Sequence, residues 1–308
     1  MSKIRVAIAQ AEVAPDLAAG LDKTRVLARQ AAGSGAKLVV FPETWLPGYP
    51  AWLDHCRDAA LWDHPPVKEV YARMGSQSVV VNGDSGKALA GIAREASVAM
   101  VVGVIERLES GPGRGTLYNS MLTFTPDGVL ANHHRKLMPT YTERMVWGTG
   151  DANGLQAVDT PAGRVGGLIC WEHWMPLARQ AMHDSGEDIH VAAWPTVHEM
   201  HQMASRHYAF EGRCFVLAAG SLMRMSALPK GLELHPGHTG EWALSGGSMI
   251  VGPDGSVLAG PVFEREKIVM TEIDLDRVRQ ESMTLDVSGH YSRPDAFEFR
   301  TIKHARPA

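Results

Sequence analysis

Apolar runs and stretches of helical character alternate along the first third of the chain. Residues 4–9 and 37–41 are β-branched, apolar runs that are typical of buried strands. A helical stretch lies between them, with Asp16 as a suitable N-cap residue and Gly33 as a suitable stop. Pro42 ends the second run because proline has no N–H to donate to a sheet. This order predicts neighbouring strands joined by a crossover helix.

The middle of the chain has a different pattern. A second helical stretch over 85–96 and an apolar strand over 99–105 are followed by runs that flank turn sequences. Ser-Met, then Pro-Asp-Gly, then Val-Leu-Ala occur in that order over 120–131 and again over 248–259, which we interpret as two similar hairpins in two sheets. Two mixed β-sheets packed together with helices outside are the expected α/β architecture. No Ser/Gly-rich linker divides the chain, so we expect a single domain over 1–308.

Composition narrows the function classes. The chain has 308 residues, 45% of them hydrophobic and 21% charged, and a net charge of −4. This balance argues against nucleic acid or anionic lipid as a partner, since both require concentrated basic charge. No apolar run approaches the roughly 18 residues of a membrane span, and the N-terminus resembles no signal peptide. Three scattered cysteines do not suggest a disulfide framework. We therefore expect a cytoplasmic protein with reduced thiols.

Cys170 is the most informative candidate nucleophile. An apolar strand over 165–169 ends at this cysteine, and Pro176 suits the first turn of a helix. Free backbone N–H groups and the positive end of a helix at such a junction favour the nucleophilic thiolate. The alternative is that Cys170 only packs, as free cysteines often do. We assign that simpler role to Cys214, in an apolar run, and treat Cys56 as a bystander.

A cysteine nucleophile needs a base, and Glu43 is the candidate that stands out. It follows the end of a buried strand and lies between Phe41 and Trp45. Partial desolvation there would raise the pKa of the carboxyl toward that of a useful general base. The alternative is a solvated glutamate in a loop.

Lys136 is the candidate for stabilising developing negative charge. It follows a strand and precedes a proline turn, so its ammonium group would lie at a sheet edge near an attacked nitrogen or oxygen. The alternative is an ordinary surface lysine. Glu143 follows closely, and the sequence alone allows it simply to pair with Arg144 or Arg135.

Metal and nucleotide sites find little support in the sequence. The segment 198–201 reads His-Glu-Met-His, one residue short of the His-Glu-x-x-His spacing that places two zinc ligands on one helix face, and His207 does not repair that spacing. The glycine-rich segments 111–115 and 148–150 lack the spacing and the following helix of a phosphate loop. We expect no metal and no cofactor.

Three motifs together resemble the nitrilase superfamily of carbon–nitrogen hydrolases. They are Phe-Pro-Glu at 41–43, His-Arg-Lys-Leu at 134–137 and Ile-Cys-Trp-Glu at 169–172, in that order. The similarity covers nearly the whole chain, from residue 7 to the hairpin near Gly255. Further segments resemble the nitrilase branch in particular: 46–50, 136–140, 143–144, 147–148, 170–173 and 175–179.

The resemblance implies a four-layer α-β-β-α sandwich with a core over about 4–275 and a C-terminal extension over about 276–308. It implies a Glu43, Lys136 and Cys170 triad, with Glu143 as a fourth active-site residue. The implied reaction is hydrolysis of an organic nitrile by water to a carboxylic acid and ammonia, through a cysteine thioimidate and then a thioester. Typical nitrilases have a longer C-terminal tail, which puts their filament assembly in question here.

Aromatic side chains near the motifs are candidates for substrate binding. The predicted substrate-binding residues are Tyr49, Trp52, Trp171, Trp194 and Pro195. Aromatic walls suit a small apolar nitrile. Two further segments, 55–78 and 223–241, contain apolar residues that we expect to be exposed and to mediate subunit contacts. The resemblance implies a homodimer or a larger homo-oligomer, up to a spiral of dimers.

Other functions remain open at this point. An amidase or carbamoyl-amide hydrolase of the same superfamily would use the same triad. A non-catalytic interaction protein of the same fold would have an unreactive Cys170. A Cys–His hydrolase of another fold, using one of the 14 histidines, would tolerate a Glu43→Gln change.

Overall fold

A computed structural model describes residues 3–237 and 240–303. The strands are β1 (Lys3–Gln10), β2 (Ala36–Val40), β3 (Ala99–Arg107), β4 (Leu117–Phe124), β5 (Leu130–Arg135), β6 (Val158–Thr160), β7 (Gly163–Ile169), β8 (Ile189–Ala193), β9 (Phe215–Ala219), β10 (Leu222–Arg224), β11 (Trp242–Val251), β12 (Val257–Phe263) and β13 (Lys267–Asp274). The α-helices are α1 (Leu17–Gly33), α2 (Trp52–His55), α3 (Pro65–Ser76), α4 (Asp84–Ala96), α5 (Pro176–Asp184), α6 (Glu199–Gly212) and α7 (Asp276–Glu281).

The strands form two mixed sheets. The first has the order β13-β1-β2-β3-β4-β5, in which β1, β2 and β3 are parallel and the outer pairs are antiparallel. The second has the order β10-β11-β9-β8-β7-β6, with β12 also paired to β11, and its β7, β8 and β9 are parallel. The prediction of an α/β fold with two mixed sheets and flanking helices is confirmed.

Both faces of the first sheet are buried, which explains its almost continuous apolar strands. Successive side chains of β1 point to opposite faces. Ile8 packs in the cluster that contains Leu168 of β7, so this face meets the second sheet. Ala7 packs with Ala28 of α1 and Leu89 of α4, so the opposite face is covered by helices.

The second sheet is covered in the same way. A Cβ at Gly166 of β7 would lie 2.5 Å from Met182 of α5, whereas one at Gly167 would lie 2.7 Å from Met121 of β4. One face of β7 therefore meets helix α5, and the other meets the first sheet. Helix α6 packs against β9 on the same outer side. The layers are helices, sheet, sheet and helices.

The local expectations for the hairpins and the first helix hold. The side chain of Asp16 accepts a hydrogen bond from the Ala19 N–H and caps α1, which ends at Gly33. The turn at 126–128 joins β4 to β5 in the first sheet, and the turn at 253–255 joins β11 to β12 in the second. The repeated sequence therefore marks two corresponding hairpins.

The two segments expected to carry exposed apolar residues pack on each other. The Arg57 N–H donates to the Glu233 carbonyl, and the His235 N–H donates to the His55 carbonyl, each at 2.9 Å. Leu228 is buried between them, contrary to expectation, because it fills a cluster around Tyr49 and Trp52. Trp62, by contrast, is 97% exposed. Residues 238 and 239 of the second segment lie outside the described residues.

Among the helices of the described ranges, none combines the length and the apolar character that crossing a membrane requires.

Candidate active site

Three predicted residues converge although they come from both sheets. Glu43 follows β2, Lys136 follows β5, and Cys170 follows β7. A carboxylate oxygen of Glu43, one of Glu143 and the Cys170 sulfur all lie within 4.8 Å of one another. Gly103 of β3 allows this approach, since a Cβ there would lie 2.2 Å from the Pro42 carbonyl oxygen. The sheet-to-sheet packing therefore assembles the cluster.

Glu43 has the properties of a poised base. It is fully buried, and its Oε1 accepts hydrogen bonds from Asn119 Nδ2 at 2.6 Å and from Lys136 Nζ at 3.1 Å. Its Oε2 has no hydrogen-bond partner within the part of the chain that the structure describes. Burial raises the pKa of the carboxyl to about 7, against the opposing effect of the Lys136 charge. The predicted direction of this pKa shift is confirmed.

Lys136 is a buried cation between two carboxylates. Its Nζ lies 3.1 Å from Glu43 Oε1 and 2.7 Å from Glu143 Oε2. Burial alone would lower the pKa of the ammonium group, but the negative charge available on Cys170, Glu43 and Glu143 raises it above its ordinary value. Lys136 is therefore charged, and the interpretation as a surface lysine is wrong.

Glu143 belongs to the cluster and pairs with neither arginine considered from the sequence. Its Oε1 accepts the Tyr49 O–H at 2.9 Å, and its Oε2 accepts the Lys136 ammonium. Arg144 donates to the Pro139 carbonyl, and Arg135 pairs with a different glutamate. The 3₁₀ turn Tyr141–Met145 holds Glu143 because that carboxylate also accepts the N–H of the capping residue.

Cys170 begins a 3₁₀ turn, Cys170–Trp174, that separates β7 from α5. Its φ of 53° lies in the left-handed region, an unusual conformation for a residue with a side chain. The Trp171 N–H acts on the sulfur by lowering the pKa of the thiol. The expected effect of the backbone N–H is present, but burial and the Glu43 carboxylate outweigh it and raise the pKa of the thiol well above its usual value. The resting nucleophile is a neutral thiol that needs a base.

Glu172 is a positioning residue that sequence analysis missed. Its carboxylate accepts the Leu137 and Ile169 N–H groups, each at 2.7 Å, and a hydrogen bond from His134 at 2.9 Å. Burial would raise the pKa of this carboxyl, but His134 and the two N–H groups hold it below its usual value. One carboxylate therefore ties the Lys136 loop to the end of the nucleophile strand. Its place in the Cys-Trp-Glu motif was the available signal.

The predicted substrate-binding residues occupy different environments. Tyr49 and Trp52 are buried in one apolar cluster, and Trp171 is 53% exposed beside the nucleophile. Trp194 is fully buried, and its indole N–H donates to Ser205 at 3.3 Å. Pro195 is half-buried. Two neighbours were missed: Asn119, on Glu43, and Trp147, whose ring centroid lies 5.9 Å from Lys136 Nζ.

The histidines of segment 198–201 do not assemble with His207. His201 Nδ1 donates to the Thr196 carbonyl at 2.6 Å and its ring stacks on Trp194. His207 lies on α6, 4.0 Å from Glu211. Within residues 3–237 and 240–303, the one group of three potential metal ligands is Glu43, Glu143 and Cys170, and the Lys136 ammonium already bonds both of its carboxylates.

A buried thiol beside a carboxylate that can take its proton and an ammonium group that can stabilise negative charge is the arrangement of a hydrolase with a cysteine nucleophile. The comparisons specify the family. The family model for carbon–nitrogen hydrolases matches residues 5–281. The chain is 40% identical over 302 residues to an aliphatic nitrilase of Sinorhizobium fredii, covering 97% of this chain and 95% of that protein. It is 36% identical over 309 residues to the bifunctional nitrilase/nitrile hydratase NIT4A of Lupinus angustifolius, covering 98% and 86%.

Solved structures agree on the fold. The NitFhit protein of C. elegans matches with a TM-score of 0.72 at 19% identity, over 100% of this chain and 69% of that one. Nit3 of Saccharomyces cerevisiae matches with a TM-score of 0.68 at 18% identity, over 94% and 97%. The chain belongs to the carbon–nitrogen hydrolase family, the nitrilase superfamily.

Proposed function

We propose that this protein is a nitrilase that hydrolyses an organic nitrile to the carboxylic acid and ammonia. The observation that carries the proposal is the Glu43, Lys136 and Cys170 cluster, in which the neutral thiol lies beside a carboxylate with one unpartnered oxygen. The pKa of the Glu43 carboxyl, about 7, is close to neutral pH, which suits a general base that takes the thiol proton. Similarity to nitrilases over nearly the whole chain supports the same function.

The first half of the reaction forms a covalent bond to Cys170. Glu43 takes the thiol proton as the sulfur attacks the nitrile carbon. One π bond of the C≡N group breaks, its electron pair moves to nitrogen, and the nitrogen takes the proton from Glu43 to give a thioimidate. This transfer returns Glu43 to its unprotonated form. Lys136 and the Trp171 N–H stabilise the negative charge that develops in this step.

The second half releases the two products. Water, deprotonated by Glu43 and oriented by Glu143, adds to the thioimidate carbon to give a tetrahedral intermediate. Glu43 passes the proton it took from water to the nitrogen, and the proton of the new hydroxyl group follows, so the nitrogen leaves as ammonia and a thioester remains. A second water attacks the thioester, the sulfur leaves and takes back its proton, and the carboxylic acid is released. If sulfur leaves before ammonia, the product is the amide. Covalent catalysis divides one difficult step into easier ones.

Aromatic side chains near the motifs support a proposal about the substrate class. We propose that the aromatic side chains of Tyr49, Trp52, Trp171 and Trp194, together with Pro195, favour a nitrile with an apolar substituent. Trp171 is 53% exposed next to Cys170 in the chain, and Trp194 stacks on His173 of the nucleophile turn. The relative from Sinorhizobium fredii is described as an aliphatic nitrilase, so an aliphatic nitrile is the first compound to test.

The assembly and the compartment are further proposals. We propose a homodimer or a larger homo-oligomer, with the exposed Trp62 region and Leu234 as contact surface. Size exclusion tests this, because a lone 33 kDa species would contradict it. Cys56, Cys170 and Cys214 are all free and buried, which supports a reducing, cytoplasmic compartment.

Ammonia release tests the function. The wild type and Cys170→Ala are incubated with aliphatic, aromatic and arylaceto- nitriles and with the matching amides. We expect turnover of at least one nitrile by the wild type, and none by the variant, whose circular dichroism stays native. Turnover of amides alone would assign the chain to an amidase role with the same triad. Residual activity of Cys170→Ala near that of the wild type would exclude Cys170 as the nucleophile.

A further inference from the structure

A row of four buried polar side chains lies behind the nucleophile turn, on the side of the second sheet that faces α5 and α6. His173 Nδ1 lies 2.7 Å from the Cys170 carbonyl oxygen, and its Nε2 lies 3.0 Å from His190 Nε2. His190 Nδ1 lies 2.8 Å from Glu187 Oε1, and the Tyr208 O–H donates to Glu187 Oε2 at 2.6 Å. We call His173, His190, Glu187 and Tyr208 the His173 row.

Counting protons fixes the direction of each hydrogen bond in the row. The Cys170 carbonyl only accepts, so His173 Nδ1 carries the proton and His173 Nε2 is an acceptor in the neutral ring. His190 therefore donates from Nε2. A neutral His190 then accepts at Nδ1, and the donor to it is a protonated Glu187. Tyr208 donates to the remaining Glu187 oxygen. Every link is satisfied, and only the proton between His190 and Glu187 can lie on either partner.

The electrostatics of the row agree with this count. Burial raises the pKa of Glu187 to about 8. Burial also lowers the pKa of His173 to about 3 and that of His190 well below its usual value. The row is therefore uncharged at neutral pH. Placing the shared proton on His190 rather than Glu187 leaves the bonds to His173 and Cys170 unchanged, because His190 Nε2 still donates.

The peptide whose carbonyl accepts the hydrogen bond from His173 is part of the reaction site. The Cys170 carbonyl and the Trp171 N–H belong to the same planar peptide unit, and that N–H lowers the pKa of the Cys170 thiol. A hydrogen bond to the carbonyl fixes the plane of the peptide and polarises it, which strengthens the N–H as a donor. His173 cannot shift readily, because its ring stacks on Trp194 at a centroid distance of 4.7 Å and at an interplanar angle of 27°.

We propose that His173 is a positioning residue that aims and polarises the Trp171 N–H toward developing negative charge, and that the His173 row holds His173 in the donating tautomer. This proposal deepens the nitrilase function proposed above, and its catalytic part rests on that function. His173 acts through the Cys170–Trp171 peptide rather than by touching substrate.

Loss of one proton from the row disrupts this arrangement. When Glu187 ionises, the remaining His190 proton moves to Nδ1 to bond the carboxylate, and His190 Nε2 no longer donates to His173. The His173 proton then shifts to Nε2, and the bond to the Cys170 carbonyl is lost.

Several other titratable or charged groups surround Glu187. They are His183, Asp184, Asp188, His190, Tyr208, Glu211, Arg213, Cys214 and Asp286. Glu187 is also one of the residues that line a cavity of about 360 Å³.

Two substitutions of His173 test the positioning role. His173→Asn keeps a side-chain N–H that reaches the Cys170 carbonyl, whereas His173→Leu removes it at similar volume. We expect kcat to fall about 100-fold in His173→Leu, as for loss of an oxyanion donor, and less than about 5-fold in His173→Asn, with KM within about 3-fold in both. Equal kcat values in the two folded variants would overturn the proposal.

Glu187→Gln tests the row without removing a hydrogen bond. The amide donates to His190 and accepts from Tyr208, but it cannot ionise. The wild-type kcat/KM is expected to decline above about pH 8 as Glu187 loses its proton, and Glu187→Gln is expected to keep its neutral-pH activity without that decline. The same alkaline decline in both proteins would contradict control by the row.

Alkylation of Cys170 separates this proposal from the nitrilase function. The rate of modification by iodoacetamide, followed on the Cys170 peptide by mass spectrometry, requires no nitrile turnover. We expect His173→Leu to react about 10-fold more slowly than the wild type and His173→Asn to react at a near-normal rate, since the Trp171 N–H stabilises the thiolate. This order together with a lack of nitrile turnover would reject the proposed function and keep the positioning role. Equal alkylation rates in all three proteins would reject the positioning role.

Discussion

Arg135 and Lys136 are neighbours in the chain, and each pairs with a buried glutamate. The pKa shifts of these two glutamates, Glu106 beside Arg135 and Glu43 beside Lys136, have opposite directions. Arg135 pairs with Glu106 of β3 through Nε at 2.9 Å and through a second nitrogen. His133 and Ser120 also bond Glu106, at 2.8 and 2.7 Å. Lys136 instead divides its ammonium between Glu43 and a second carboxylate. Both glutamates are buried, yet the pKa of Glu106 is lowered and that of Glu43 is raised to about 7.

The difference shows that partners, rather than burial, decide whether a buried carboxylate is a base. Burial alone would raise the pKa of both carboxyl groups. The planar guanidinium of Arg135 binds both oxygens of Glu106 and fixes it as an anion. The compact ammonium of Lys136 is shared, and one oxygen of Glu43 has no partner in the described chain. Glu106 is therefore a permanently ionised partner of Arg135 that stabilises the fold, whereas Glu43 can accept a proton.

The largest expected effect comes from comparing Glu43→Gln with Glu106→Gln. Loss of the general base should lower kcat/KM by about 10³- to 10⁴-fold in Glu43→Gln, with no fall in the thermal midpoint. Glu106→Gln should lower the free energy of unfolding by about 3–5 kcal/mol, because Arg135 stays buried without its counter-charge. Its kcat/KM per folded molecule should stay within about 10-fold of the wild type. Urea unfolding and nitrile kinetics measure the two effects.

The reverse outcome would break the comparison. Glu43→Gln with near-normal kcat/KM would return attention to a Cys–His mechanism using one of the 14 histidines. Glu106→Gln with normal stability and lost activity would place Glu106 in the reaction.

A second prediction sharpens the role of the shared cation. Lys136→Met removes the positive charge that lowers the pKa of Glu43, while Glu143 continues to raise it. Because Glu43 must be unprotonated to act as a base, the acid limb of kcat/KM, expected near pH 7 in the wild type, should move to higher pH. At pH 7, kcat/KM should fall about 10²- to 10³-fold, since charge stabilisation is also lost. A pH profile from 5 to about 9.5 decides. If the acid limb did not move in Lys136→Met, its midpoint would not reflect the ionisation of Glu43.

The smallest expected effect concerns the hydrogen bond from Tyr49 to Glu143. Tyr49→Phe removes this buried donor, which should cost about 1 kcal/mol of orientation and lower kcat/KM about 5-fold. Tyr71→Phe, on the partly exposed side of α3, is the matched control and should be silent. Equal kinetics in the two variants would show that Tyr49 does not orient Glu143.

Much of the fold was predictable because it depends on local signals. The β-branched runs of β1 and β2, the Asp16 cap and the repeated turn sequence each predicted the observed element. The burial of Glu43 was predictable too, because Phe41 and Trp45 flank it in sequence. The division into a core and a C-terminal extension stays a prediction.

The remaining features depend on contacts between distant segments. Tyr49 and Glu143 are 94 residues apart, so no local pattern reveals their hydrogen bond. The net rise in the pKa of Cys170 was not predictable from its position at a strand end, because the burial and the Glu43 charge that cause it involve the other sheet. Leu228 belongs to segment 223–241, whose apolar residues were expected to be exposed, and it is buried because it packs with Tyr49 and Trp52, which are far away in the chain.

The most direct test of covalent catalysis is rapid acid quenching during nitrile turnover, followed by mass analysis of the three cysteine peptides. We predict a transient mass increase on the Cys170 peptide that matches the thioimidate or the thioester of the substrate, with the Cys56 and Cys214 peptides unchanged. Steady ammonia release from the nitrile by Cys170→Ala, with no adduct on the wild-type Cys170 peptide, would contradict the account.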